Sequence, residues 1–283
     1  MKAAESFLNF EGDFSAEVSA EDSKIPLNSF YALTPTQPDY DRLKNILIYL
    51  MRQKPFEPLL KDKIRDSQEL ATKIVDYIDR NEAINEMGGS ERGAENSQYA
   101  GSKNKPKNAK LISIEELILV PGMTDDLLSE LKKHVTVYKT DTKINACQAT
   151  PELVRAMIIA YTQNRTDMEP LRIDSEDRIK NAVNAVLGKC PDINAMSQAL
   201  NESLGVTASS ASSAGPTPSS QPATGAGAGS ISSSFATMLT ADENIYRIES
   251  TGTVGNAEVK LIDVLNTGGG NPDNWKDLYW RVE

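Results

Sequence analysis

The residues best placed to do chemistry are oxygen donors: the run Asp79-Arg80-Asn81-Glu82, followed by Glu95-Asn96. Calcium takes about six to eight oxygens from carboxylates, amides and carbonyls on flexible loops. A loop returning Glu95 to Asp79 would bring Asp79, Asn81, Glu82, Glu95 and Asn96 into one such set. The residues alone favour a plainer reading, a helix C-terminus followed by a solvated acidic loop.

Other reactive side chains are few. His134 is the single histidine, and Cys147 and Cys190 are the two cysteines. One histidine with two distant cysteines makes a poor zinc set. His134 has no visible acid–base partner. Its place after Lys132-Lys133 predicts an exposed histidine at a helix end, close to free carbonyls. No Gly-x-Ser-x-Gly elbow occurs. The glycines at 268–270 follow a strand pattern but precede Asn271-Pro272-Asp273, so they form a turn and not a phosphate loop. Nothing in these residues points to an enzyme. From spacing alone, the cysteines are open between a disulfide and two reduced, buried thiols. If paired, they close a loop worth about 4 kcal/mol in the chain-entropy model.

The elements that must position these groups can be read from periodicity. Residues 10–28 alternate weakly, Phe10, Phe14, Val18 and Ile25, and predict one or two short strands around the acidic turn Glu21-Asp22-Ser23. Leu43, Ile46, Leu47, Leu50 and Met51 mark an amphipathic helix. Asp66 with Glu69 predicts the start of another, carrying Leu70, Ile74 and Ile78. Residues 80–110 are polar and contain glycine, so a long loop is expected.

A helical hairpin follows. Ser113 and Glu116 form a capping box, with Leu117 and Ile118 facing inward. Pro121-Gly122 breaks the first helix. Thr124 caps a second, with Leu127, Leu128 and Leu131, before a short strand through Val135. Thr150-Pro151 starts a further helix. Ser175 opens one that Gly188 closes, and Pro191–Leu204 is one more. Residues 206–234 are nearly all Ser, Ala, Gly, Pro and Thr, a composition that cannot bury a core. Strands then return: 245–251, a Gly255-Asn256 turn, 258–265, and 278–282. Trp275 and Trp280 are expected to pack within this β-region, with an exposed aromatic as the functional alternative.

At 283 residues the chain has room for two domains. Its formal charge is -10, whereas a nucleic-acid binder needs a basic stripe. The hairpin sets Lys132, Lys133 and His134 against Glu115, Glu116, Asp125, Asp126 and Glu130, a weak footprint for DNA. No apolar run is long enough to span a bilayer. The start, Met1-Lys-Ala-Ala-Glu-Ser-Phe7, is too polar for a signal peptide.

Five segments, in order, resemble the minor pseudopilin K family of bacterial type II secretion. They are the acidic turn with Lys24-Ile-Pro-Leu-Asn-Ser29; Val75-Asp-Tyr-Ile-Asp-Arg-Asn81 followed by Gly93-Ala-Glu95 and Tyr99; Ile114 to Thr124; Ile144 to Val154; and Tyr246-Arg-Ile-Glu-Ser250 with Leu278-Tyr-Trp-Arg281. The chain departs from the family in several ways. Asn81 stands where the family usually has Asp, and Cys147-Gln148 where it usually has Asn-Thr. The 206–234 stretch is unusually long. No prepilin leader or long apolar helix is present, so a soluble truncation is expected.

The resemblance implies an α+β fold. A pseudopilin β-sheet domain would form from 1–30 and 235–283, and a large all-α, SAM-like insertion with the helical hairpin would span 31–205. Residues 206–234 would link them. It implies a non-enzymatic tip subunit of the pseudopilus, in complex with minor pseudopilins I and J. Contacts with the major pseudopilin, the secretin and secreted proteins are further expectations, with no nucleic acid bound. The membrane would be met only through the missing N-terminal helix, on the periplasmic side of the inner membrane. It implies structural calcium held within 76–99, and its periplasmic address shifts the cysteines toward a disulfide. The rival readings are a nucleic-acid-binding protein using the helical hairpin, and a minor pilin of a type IV pilus.

Overall fold

The structure, a computed structural model, describes residues 12–101, 103–163, 165, 168–206, 235–268 and 271–283. The expected linker, apart from Val206, lies outside the described residues, as do residues 1–11 of the expected β-domain, Phe10 among them.

Strand β1 (Asp13–Ala20) leads through the buried turn Glu21–Ser23 into a two-residue strand, β2 (Ile25–Pro26). Helix α1 (Pro38–Met51) begins on a proline, at a position where no backbone N–H is needed. It buries the expected stripe Leu43, Ile46, Leu47, Leu50 and Met51, and adds Tyr40. Helix α2 (Lys63–Ile78) starts earlier than the expected Asp66, because Asp62 caps it by accepting the Arg65 N–H at 3.1 Å. The stretch expected to be one long loop contains a small antiparallel hairpin, β3 (Ala83–Asn85) and β4 (Glu91–Ala94). Gly88 and Gly89 turn it with φ of 76° and 74°, backbone that side-chain-bearing residues adopt only at a cost.

The first arm of the helical hairpin is a 3-10 turn, Ile114–Leu119, and its capping box between Ser113 and Glu116 is formed. Three residues per turn place Ile114, Leu117 and Val120 on one buried side. The same period turns Ile118 outward to 41% exposure, against the expectation that it faces in. Thr124 caps α3 (Asp125–Leu131), and β5 (Val135–Thr136) pairs in parallel with β2. Helix α4 (Pro151–Gln163) is buried on nearly all sides and packs between α1 and α5 (Glu176–Leu187). Gly188 ends α5 in right-handed backbone, φ -66°, and not in the left-handed turn that favours glycine. Helix α6 (Ile193–Ser203) packs on α5. A disulfide between Cys147 and Cys190 ties the segment before α4 to the end of α5.

The chain returns to strands with β6 (Ile245–Val254), β7 (Ala257–Asn266) and β8 (Lys276–Val282). One antiparallel sheet results, in the order β1-β6-β7-β8, so both ends of the described chain share it while the helices lie between them in sequence. Strand alternation gives the sheet two unlike faces. One meets the helical region: the rings of Tyr279 and Tyr138 are 6.2 Å apart, and Arg247 reaches the buried Glu21 at 3.1 Å.

The other face carries Phe14, Val18, Ile248, Val259, Leu261, Trp280 and Val282 in register, with one carboxylate, Asp263, between Ile248 and Trp280. Phe14 and Trp280 are 62% and 64% exposed. Trp275 and Trp280 therefore do not pack inside, and the alternative of exposed aromatics is the one the structure has. Trp280 falls on the outward register of an edge strand, and Trp275 is also exposed. Among the described residues no helix is long and apolar enough to cross a membrane.

Candidate metal centre

The last turn of α2 carries Asp76, and Asp79, three residues on, is the residue that ends the helix in extended backbone. The β3–β4 hairpin then folds the chain back. Ala83 pairs with Ala94, and the Glu95 N–H donates to the Glu82 carbonyl at 3.0 Å. This return delivers Glu95 to the helix end. One carboxylate oxygen from each of Asp76, Asp79 and Glu95 lies within 4.8 Å of the others. Two oxygens on opposite sides of a calcium ion, at about 2.4 Å each, are about 4.8 Å apart, so the spacing fits. An all-oxygen set without His or Cys suits a hard cation and not zinc.

Hydrogen bonds hold one side of the cluster and leave the other open. Tyr40 donates its hydroxyl to Asp79 Oδ2 at 3.1 Å, and Asn85 Nδ2 donates to the same oxygen at 2.9 Å. Gln98 Nε2 donates to Asp76 Oδ2 at 2.8 Å, and the Asn85 N–H to Asp76 Oδ1 at 3.2 Å. Asp79 Oδ1, both Glu95 oxygens and Asn85 Oδ1 are buried with no hydrogen-bond partner among the described residues. Asp76, Asp79 and Glu95 are each 1% exposed. Leaving buried polar atoms unmatched is costly.

The electrostatics agree. Burial, then the charges of Asp79 and Asp76, pushes Glu95 up to about 9. Burial and then Asp76 push Asp79 up to about 7. Burial raises Asp76 to about 6, against the hydrogen bonds from Gln98 and Asn85. A divalent cation among them would satisfy the open oxygens and favour the ionised forms.

The structure treats the expected ligands unequally. Asp79 and Glu95 converge. Asn81 lies beside them, but its side chain is committed: Nδ2 donates to Asp79 Oδ2 at 3.3 Å, and Oδ1 accepts from the Ala83 N–H at 2.8 Å and from Asn85 Nδ2 at 3.1 Å. It orients the loop. Glu82 contributes only its carbonyl, to the Glu95 N–H, and its side chain is exposed. Asn96, one residue past Glu95, is also exposed. Asp76 and Asn85 were not anticipated. The signal for Asp76 was its i, i+3 spacing to Asp79. Asn85 had none, because its place depends on the hairpin.

His134 differs from its expectation as well. It is 3% exposed, with Nδ1 2.9 Å from Thr150 Oγ1 and its ring against Phe56. Burial lowers its pKa. Thr150 Oγ1 also accepts the Leu153 N–H at 3.3 Å, so His134 joins the end of the hairpin to the cap of α4. The hairpin's lysines are neutralised within the hairpin: Lys132 pairs with Glu115 at 3.0 Å and Lys133 with Glu130 at 2.6 Å.

Residues 45–140, which include the cluster and the helical hairpin, match the family described as type II secretion system (T2SS), protein K. The fold is similar to that in the crystal structure of the GspK-GspI-GspJ complex from the enterotoxigenic Escherichia coli type 2 secretion system. The TM-score is 0.56 at 16% sequence identity, covering 98% of this chain and 82% of that one. No curated protein matches the chain. Residues 45–140 thus match the type II secretion system protein K family, and the chain as a whole shares the fold of that solved complex.

Proposed function

We propose that the protein is a minor pseudopilin, a non-catalytic subunit at the tip of a type II secretion pseudopilus on the periplasmic side of the inner membrane. The observation that carries this reading is the open apolar sheet face, Phe14, Val18, Ile248, Val259, Leu261, Trp280 and Val282. An apolar surface of this kind marks an interaction site. The similar solved structure is of a complex of three pseudopilin subunits, which supports counterparts of minor pseudopilins I and J as the partners. The helical domain would then be the bulky head that stops further subunits from adding above it. The disulfide suits an oxidising compartment.

Calcium, in this reading, is structural. It would pin the end of α2 to the β3–β4 return through Asp76, Asp79 and Glu95. The paired hairpin lysines weigh against the nucleic-acid alternative. The test is reconstitution with subunits I and J of the same system, followed by size-exclusion chromatography. A ternary complex that Trp280→Asp weakens supports the reading. An inert monomer, with properly folded partners and calcium present, would sink it.

A further inference from the structure

The chain, acidic as a whole, carries a basic stretch. Between Glu95 and Glu115 it has four lysines, Lys103, Lys105, Lys107 and Lys110, and no acidic residue, against a formal charge of -10 for the whole. The fold gathers this stretch on one surface. Asn104 Nδ2 donates to the Leu119 carbonyl at 3.5 Å, and Lys107 pairs with Glu116, so residues 103–110 run alongside the 3-10 turn of the hairpin. Arg80, just past the end of α2, lies over the Tyr31 ring at 4.2 Å, and Lys110 approaches the same ring at 5.9 Å. Arg80, Lys103, Lys105 and Lys110 are exposed and have no carboxylate partner among the described residues. Apolar side chains stand among them: Ile112 is 79% exposed, Ile118 41% and Leu119 39%.

We propose that this surface binds an anionic phospholipid bilayer, with Arg80, Lys103, Lys105 and Lys110 on the headgroups and Ile112 entering the layer beneath them. A bilayer presents negative charge outside and hydrocarbon below. The patch offers its groups in the same order, cations on long stems around a protruding isoleucine. An acidic protein would instead have to match each cation with a placed carboxylate, and no ion pair holds these four side chains in one arrangement for it. Lysines near an anionic leaflet contribute one by one, without a matching pocket. The same leaflet repels the net negative charge of the rest of the chain, which turns this patch toward it. The proposal needs neither the metal centre nor the pseudopilin assignment.

Vesicle flotation of the full chain tests it, with phosphatidylcholine alone or mixed with about one-third phosphatidylglycerol, at one calcium concentration throughout. The chain should float with the anionic vesicles and not with the neutral ones, and added salt should release it. Lys103→Gln with Lys105→Gln and Lys110→Gln should weaken binding about a hundredfold, at about fivefold for each lysine. Ile112→Ser should weaken it about tenfold, the scale of exposing one large aliphatic side chain. All four side chains are exposed and hold no ion pair, so these variants should melt with the native chain. Trp280→Asp, on the open sheet face, should leave the preference for anionic lipid unchanged. Equal binding to neutral vesicles, equal binding by the triple variant, or no binding at low salt overturns the proposal. Capture of polyglutamate without vesicle binding would assign the patch to an acidic protein, and overturns it too.

Discussion

The Asp22 carboxylate accepts the backbone N–H of Ile245 at 2.8 Å, across 223 residues of chain. The same Oδ2 takes the Asn244 N–H at 2.7 Å, and Lys139 lies 3.4 Å from Oδ1. The acidic turn of the sequence is thus a buried joint between the start of β6 and the helical region. Asp22→Ala should lower stability by about 3 kcal/mol, the scale for losing hydrogen bonds to a buried charge. Urea unfolding checks this. A loss below about 0.5 kcal/mol, the scale of an ordinary surface substitution, would mean that the joint is held by other contacts.

Glu95 has two buried oxygens without partners, so its negative charge serves the metal-free fold poorly. Glu95→Gln should leave the melting temperature of the metal-stripped protein unchanged or raised, and remove its response to calcium. The native protein at calcium about 100-fold above Kd should gain about 2.7 kcal/mol. A calcium response that survives Glu95→Gln would place the ion elsewhere.

The three carboxylates also fix a pH dependence. Their folded-state pKa values, about 9, 7 and 6, lie above the ordinary 4.5 for Glu95 and 3.8 for Asp79 and Asp76. Between about pH 4 and pH 9 the folded, metal-stripped chain therefore holds more protons than the unfolded one. These groups make stability greatest at the acidic end and reduce it as pH rises through that window. The stripped protein should melt at lower temperature at pH 8 than at pH 6. Calcium binding, which needs the ionised forms, should release protons and tighten with pH. Thermal melting and titration in buffers of different ionisation enthalpy measure both. A rise in melting temperature from pH 6 to pH 8 without metal would contradict this account.

The Cys147–Cys190 disulfide closes a loop with a sequence separation of 43. Chain entropy sets its contribution at about 4 kcal/mol. Cys147→Ser with Cys190→Ser should lower stability by up to that amount, and most of the loss should map to α4–α6 by hydrogen exchange. Unchanged protection of α5 and α6 would show that their packing alone holds them.

Local signals settled much of this protein from sequence alone. The stripe of α1, the Thr124 and Thr150 caps, and the turn at Gly255-Asn256 each depend on residues within one or two turns of one another, and each stands where its residues put it. The α+β order, strands at both ends with helices between, follows from the same periodicities. Only tertiary structure decided the rest. The hairpin β3–β4 has strands of three and four residues without apolar alternation, so nothing local marked it. Yet it is what carries Glu95 to Asp76 and Asp79 and turns Glu82 and Asn96 to solvent. Ile118 and His134 were misplaced for a related reason. A 3-10 period and a contact with Thr150, 16 residues away, are set by packing and not by the pattern of the segment itself. Asp22 is the extreme case: its partners are 222 and 223 residues away, a distance over which periodicity carries no information and only the closed sheet does.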